Sequence, residues 1–487
     1  MTDLNETELN ALRADILRAQ FALRKSNSAL VVIVAGVDGA GKAKVVHRLH
    51  EWLEPRKVTT NAFWDPSDET RERPHQWQFW RAFPPKGGIA LFFGSWYTDP
   101  LIDRVHDDLS KTDFASKMEH INALEKMLSA DGIHVLKLWF HISKDAHRES
   151  VIELEREHRK HWQMIPDDWK QHALYDRFAP IAKSALKQTS TAHAPWHVID
   201  AEGQEEREVA AGQLVRDAMR NAARNERMGG QSVVGSVKTE GLDRVGPTLL
   251  DSVDLSRSIP DKAVYNKKLK RLQRRLSNLA WRAREAKVPT VLVFEGWDAA
   301  GKGGCIRRVT AAMDPRLYRI ISTAAPNSEE FAYPYLWRFW RQIRRDGNLS
   351  IFDRSWYGRV LVERVEGYAI EPDWQRAYDE IAEFEKVLTA HGSVICKFWL
   401  HLSPEEQLRR FRAREAIQHK RHKITEDDWR NREKWGAYAS AVHDMVERTS
   451  TDYALWTVVA SEDKKSARIK VLKTLCKALE ARLAEVE

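Results

Sequence analysis

Residues 291–304 read VLVFEGWDAAGKGG, an apolar run that passes into a glycine-rich turn. Gly296, Gly301 and Lys302 stand at the spacing G-x-x-x-x-G-K of a phosphate-binding loop, between an expected strand and an expected helix, which is the context the motif requires. The glycines at 296, 301 and 303 let the backbone turn so that successive N–H groups converge on an anion. The positive end of the following helix adds to that field, and Lys302 reaches phosphoryl oxygens. The residue after the lysine is Gly303, where a Ser or Thr hydroxyl ordinarily holds Mg²⁺. Asp298 inside the loop is the substitute metal ligand, with Asp353 at the end of the apolar stretch SIF as the second, since Mg²⁺ needs only one or two carboxylates beside phosphate oxygens. Taken alone, Asp353 would read as a helix cap; its pairing with the loop gives it the metal role. Arg354 and Arg359, around Trp356 and Tyr357, read as charge stabilisers for a transferring phosphoryl group.

Working outward, apolar runs at 288–294, 317–323, 350–353, 393–402 and 455–460 alternate with helical periodicity, for example over 303–313 and through WQRAYDEIAEFEKVLTAHG. Alternating strand and helix predict a parallel sheet covered by helices on both faces. The whole pattern then occurs a second time, earlier in the chain. AGVDGAGK at 35–42 matches EGWDAAGK at 295–302, and the same offset of 260 joins Trp77 to Trp337, Glu125 to Glu385 and Trp196 to Trp456. The expectation is therefore an α/β protein of two tandem three-layer α/β/α domains, 1–224 and 255–487, with a Gly- and Ser-rich linker over 225–254.

FEGWDAAGKGG followed by DRSWYGRVLVERV resembles the polyphosphate kinase 2 family, and the tandem arrangement is similar to its two-domain branch. Gly358 after DRSWY, where single-domain members usually have Asn, agrees with that branch. The resemblance implies a P-loop kinase fold, dependence on Mg²⁺, and reversible transfer of the terminal phosphoryl group of inorganic polyphosphate to an adenine nucleotide, AMP in preference to ADP. It carries catalytic roles onto Asp298, Lys302, Asp353, Arg354 and Arg359. It also reads the basic run at 407–423 as a lid, with Arg409, Arg410, Arg412 and Arg414 closing over the site. Lys420, Lys423 and Lys464 become phosphate contacts; the bland alternative for each is a solvated surface cation.

The two copies differ where a polyanion would be handled. Asp353 and Arg354 face Phe93 and Gly94, Arg359 faces Asp99, and Arg409 and Arg410 face Glu149 and Ser150. Lys464, Lys465 and Arg468 face Gln204, Glu205 and Glu208, whereas Asp38 and Lys42 persist. The first copy is thus read as a degenerate, non-catalytic domain kept for its shape.

Composition narrows the remaining classes. With 43% hydrophobic and 30% charged residues the chain is globular rather than disordered. No apolar run suggests a membrane span and the N-terminus has no export pattern, so a cytoplasmic location is expected. Cys305, Cys396 and Cys476 have no paired or metal-like spacing and read as core residues in a reducing compartment. A net charge of +8 and 19 tryptophans raise a nucleic-acid scaffold as a rival. Tryptophans at helical spacing, as in YLWRFW, fit a core better, so no nucleic-acid partner is expected. An ATP-dependent nucleoside monophosphate kinase is the other rival, weakly disfavoured by Gly303. A homo-oligomer is compatible with the sequence without being indicated by it.

Overall fold

The computed structural model describes residues 6–63, 66–149, 175–229, 248–416 and 426–486. Lys420, Lys423 and most of the expected linker lie outside these residues. The described chain divides into two compact units. One comprises residues 1–67, 76–233 and 326–338; the other comprises 68–75, 234–325 and 339–487.

Each unit is built on five parallel strands. The first holds β1 (Ala29–Gly36), β2 (Val58–Ala62), β3 (Ile89–Phe93), β4 (Ile133–His141) and β5 (Trp196–Asp200), in the order β2-β3-β1-β4-β5. The second holds β6 (Thr290–Gly296), β7 (Tyr318–Ser322), β8 (Leu349–Asp353), β9 (Val394–His401) and β10 (Trp456–Ala460), in the equivalent order β7-β8-β6-β9-β10. The expected α/β class and tandem domains are thereby present, and the strands fall where the apolar runs predicted them. One boundary moves: β6 begins at Thr290 rather than 288, because Pro289 has no N–H for a ladder and only its carbonyl is used, by Val394. The helix after the loop, Lys302–Thr310, ends before 313, where Asp314 caps a separate 3₁₀ turn begun by Pro315.

Burial follows position in the sheet. Central β6 (TVLVFEG) is buried along both faces until Gly296, while edge strand β7 (YRIIS) has no fully buried residue. Register sets the site: Asp353 is paired with Phe294, and Gly296 with Leu400. The ends of β6 and β8 therefore deliver the loop and Asp353 to one edge of the sheet, outside the carboxyl ends of the strands, where α/β sheets bind ligands. Trp77, Phe79, Trp80, Trp337, Phe339 and Trp340 are all buried, as are the three cysteines.

The repeated Ser-Trp-Tyr has a physical cause. Lys397, wholly buried on β9, donates to Glu385 Oε2 at 2.7 Å, to the Tyr357 hydroxyl at 2.9 Å and to the Thr449 carbonyl at 2.7 Å. Glu385 Oε1 accepts from Trp356 Nε1 at 3.1 Å and from the Tyr357 hydroxyl at 2.8 Å. In the first unit Lys137 meets Glu125 at 2.7 Å, Tyr97 at 3.0 Å and the Thr189 carbonyl at 2.6 Å, with Trp96 and Tyr97 donating to Glu125 in the same way. Burial raises the carboxyl pKa of Glu385 and lowers that of Lys397, and each partner's charge opposes the other's shift.

Removing one member leaves the other charge buried and alone, a change that costs about 3–5 kcal/mol. Lys397→Met is expected to lower the unfolding free energy by that amount in urea denaturation, and Lys397→Met with Glu385→Leu by much less. A Lys397→Met chain as stable as the parent would show that the pair does not hold the domain.

Candidate active site

The glycines of the second loop have different jobs. Gly296 sits at φ +148, and a Cβ there would stand 2.6 Å from the Leu400 carbonyl oxygen, so the close approach of β9 demands glycine. Gly301 caps the helix at φ +110, with nothing within 4 Å of its Cβ position among the described residues. Gly303 is equally open, so a Ser hydroxyl is not kept out by crowding. Two non-glycine residues at this site hold left-handed backbone, Ala299 at φ +62 and Arg354 at φ +63. Such a conformation costs a side-chain-bearing residue about 1 kcal/mol or more and is typical of functional sites. The first unit has glycine at both places, Gly39 at φ +77 and Gly94 at φ +80.

Lys302 folds back over the loop, donating to the carbonyls of Gly296 at 2.6 Å and Trp297 at 3.3 Å. Asp298 accepts from Arg354 Nη2 at 3.1 Å and from Asn431 Nδ2 at 3.0 Å. Burial alone would raise its carboxyl pKa, but Lys302 and Arg354, helped by Asn431, outweigh it and hold the group ionised below the usual carboxylate range. Burial would lower the Arg354 pKa, but the charges of Asp298, Glu295, Asp353 and Asp428 outweigh it and raise it. Asp353, the last residue of β8, accepts no side-chain hydrogen bond among the described residues. Two carboxylates at the ends of adjoining segments are the donor set Mg²⁺ uses alongside phosphate oxygens, so Asp298 and Asp353 fit that ion. No cluster of three or more candidate metal ligands occurs among the described residues.

Three contributors escaped the sequence reading. Glu295 is buried beneath the loop and accepts from both the backbone N–H and the hydroxyl of Ser355 at 2.8 Å, fixing the turn that carries Arg354. Burial raises its carboxyl pKa. Its sequence signal was a lone acid ending an apolar strand, where the first copy has Ala35. Trp297 stacks face to face on Trp435 at 3.7 Å, and its indole N–H donates to His401 Nδ1 at 3.0 Å. Asn431 is carried on the helix Glu426–Glu433, which Glu366 secures by ion pairs to Arg430 at 3.0 Å and Lys434 at 2.9 Å.

The expected lid arginines separate. Arg410 is 3% exposed and donates to the loop carbonyls of Ala299 at 3.0 Å and Ala300 at 3.1 Å, and to Ser461 and Glu462 at 2.6 and 3.0 Å. It straps the loop from within instead of facing a polyanion. Arg409 is exposed and paired with Glu406; Arg412 is exposed and Arg414 half-buried. Arg359 is paired with Glu363 at 2.8 Å and lies 4.0 Å from Asp373. Lys464 opens the helix Lys464–Val486; loss of hydration, then the neighbouring charges of Arg410, Arg414 and Arg409, bring its ammonium down to about 8.

The sequence profile of the polyphosphate kinase 2 (PPK2) family matches residues 2–227 and again 259–487. A polyphosphate:AMP phosphotransferase of Pseudomonas aeruginosa is 43% identical over 480 residues, spanning 98% of this chain and 96% of that protein. One of Pseudomonas syringae pv. tomato is 44% identical over 484 residues, spanning 99% and 96%. A crystal structure of a polyphosphate kinase 2 from Pseudomonas aeruginosa aligns with TM-score 0.87 at 40% identity, covering 100% of this chain and 98% of its own.

Burial pushes His401 down to about 4, so it stays neutral and accepts the Trp297 indole N–H through the neutral range. The unfolded chain takes up that proton near the ordinary pKa of about 6.5, the folded chain only near 4. Stability from this group is therefore complete above about 6.5 and drains as pH falls toward 4, by roughly 3 kcal/mol in total. Thermal unfolding of His401→Gln is expected to lose this part of the acid sensitivity; an unchanged profile would place the titration elsewhere.

Proposed function

Because the chain belongs to the polyphosphate kinase 2 family, we propose that it transfers the terminal phosphoryl group of inorganic polyphosphate to AMP, giving ADP, and that the second unit alone does so. The observation that carries this reading is the meeting of a glycine loop with Lys302, Asp298, Arg354 and Asp353 at one sheet edge. Full-length relatives named polyphosphate:AMP phosphotransferase support AMP as acceptor. Residues 255–487 form the catalytic domain in this reading, 1–224 the non-catalytic copy, and 225–254 the linker.

The phosphate of AMP has its second pKa near ~6 and is already a dianion at neutral pH, so no strong general base is required. The difficulty lies in bringing two polyanions together in line. Lys302 leaves the carbonyls of Gly296 and Trp297 for a phosphoryl oxygen, while the loop N–H groups from Gly301 onward take the others. Arg354, fixed by Glu295 through Ser355 and steered by Asp298, meets the charge that spreads over the transferring group. Arg359 joins it by exchanging Glu363 for phosphate. Asp298 and Asp353 would hold Mg²⁺, which when bound would add charge neutralisation. One phosphoanhydride bond breaks as another forms, so the reaction runs in both directions. Lys464 and the exposed arginines Arg409 and Arg412 guide the polyphosphate chain, with Arg414, Lys420 and Lys423 in the same role. No helix among the described residues is long and apolar enough to cross a membrane, and a cytoplasmic site of action is part of the proposal.

With Mg²⁺ and polyphosphate, AMP is expected to turn over to ADP. Lys302→Ala and Asp353→Asn should each reduce kcat by about 10²–10³, and Lys42→Ala should leave it unchanged. Faster turnover of ADP to ATP would reassign the acceptor; turnover with ATP but not polyphosphate as donor would replace the proposal with a nucleoside monophosphate kinase. A second outcome concerns pH. Lys464 loses its charge as pH rises through about 8, so KM for polyphosphate should climb above that pH, and Lys464→Arg should flatten the climb. A climb that survives Lys464→Arg would remove this residue from the chain contact.

A further inference from the structure

Beside its loop the first unit has a groove whose counterpart within the second unit is occupied by that unit's own aromatic side chains. Val37, Asp38, Val105, His106, Tyr175 and Phe178 line it, and it opens to solvent. At the offset of 260 the counterparts of Val37, Tyr175 and Phe178 are Trp297, Trp435 and Tyr438. There Trp297 and Trp435 lie in contact, with Tyr438 edge-on to Trp297 at 6.4 Å. In the first unit the two rings have other partners. The Tyr175 hydroxyl donates to the Ile142 carbonyl at 3.0 Å, and Phe178 stacks on Trp139 at 6.0 Å. Val37 stands in place of the Trp297 indole, and the groove runs between it and the rings of Tyr175 and Phe178, with His147 beside Tyr175 at 5.4 Å. His106 stands where Glu366 stands in the second unit, which takes an acid away from this slot.

A separate observation lies at the other end of the loop. Gly39 and Gly41 keep left-handed backbone at φ +77 and +72, and the helix Lys42–Trp52 starts directly after them. The Arg207 guanidinium rests against Gly41, in the space that stays open around Gly301. Arg207 is 7% exposed; one nitrogen donates to the Ala201 carbonyl at 2.9 Å, but its buried Nε has no hydrogen-bond partner among the described residues. Lys42 lies nearby, donating to Gly36 O at 2.7 Å and to Asp38 at 3.0 Å. A buried cation with an unmet N–H, beside a lysine and the positive end of a helix, is stabilised by an anion.

We propose that the first unit binds a nucleoside phosphate, its phosphoryl groups on loop 36–42 with Lys42 and Arg207, and its base in the slot between Val37 and the rings of Tyr175 and Phe178. The inference shares with the proposed function the reading of these loops as phosphate cradles but does not depend on where transfer occurs. Binding without transfer needs no counterpart of Asp353 or Arg354, so loss of those two leaves this site intact.

ADP titration into the full chain carrying Lys302→Ala tests it. One ADP per chain is expected. Adding Val37→Trp, which installs the residue found at position 297 and closes the slot, should weaken binding at least tenfold, and adding Arg207→Ala should do the same. Inorganic tripolyphosphate should bind more weakly than ADP and ignore Val37→Trp. Photolabelling the otherwise unaltered chain with an azidoadenine analogue of ADP needs no variant to fold, and should mark residues 102–106 or 175–178. The proposal is overturned if the Lys302→Ala chain binds no ADP or if label appears only in the second unit. It is equally overturned if Val37→Trp leaves ADP affinity unchanged, or if Arg207→Ala tightens binding and so shows the guanidinium to be a plug.

Discussion

A lysine with no access to water, held by a glutamate, a tyrosine and a backbone carbonyl, is the constraint on which each unit depends. It ties β9 to the helix Glu371–Ala390 and, through Trp356 and Tyr357, to the turn that leaves β8. Asp353 and Arg354 immediately precede that turn, so their place at the sheet edge is set by a network of which they are not members. The same network stands in the first unit around Lys137, where those two positions are Phe93 and Gly94. Folding and phosphate chemistry thus rest on separate residues that adjoin in sequence. That separation lets Ser-Trp-Tyr recur in a copy whose preceding positions are Phe93 and Gly94.

Much of the architecture was legible because its causes are local. Apolar runs mark strands buried on both faces, glycine spacing marks the loop, and a constant offset reveals the second copy. What sequence alone did not yield depends on which charges face inward. A dense basic run reads as a solvated face or a lid, yet Arg410 lies under the loop because Glu406 and four backbone carbonyls are there to receive its N–H groups. Arg359 sits one turn from Glu363, which takes it first. Glu295 belongs to no motif of its own, and only the sheet register brings it under Ser355. The partnership of Asn431 with Asp298 spans 133 residues, beyond the reach of any spacing rule.

The strap on the loop persists in a different form in each unit. Arg410 joins the second loop to the Ser461 carbonyl, and its first-copy counterpart in sequence is Ser150. Arg207, from the final helix of the first unit, donates to Ala201, the counterpart of Ser461. One guanidinium has replaced another at an equivalent carbonyl, from a different helix. The second unit's arginine lies behind the loop carbonyls, whereas Arg207 lies over Gly41 on the open side. A similar anchor therefore gives the two loops different faces toward a ligand.

The left-handed residues give the divergence of the copies a direction. Arg354 and Ala299 hold conformations that side chains resist, kept there by Glu295, Asp298 and the strap of Arg410. In a copy freed of the need for those side chains, a change to glycine would lower the backbone energy at once; Gly94 and Gly39 hold the same left-handed conformation without a side chain. The reverse step brings back roughly 1 kcal/mol of strain at each position, with no return until Asp353's equivalent and the remaining charges are also in place. Decay at such a site runs downhill one residue at a time and recovery has to happen all together, so the backbone acts as a ratchet.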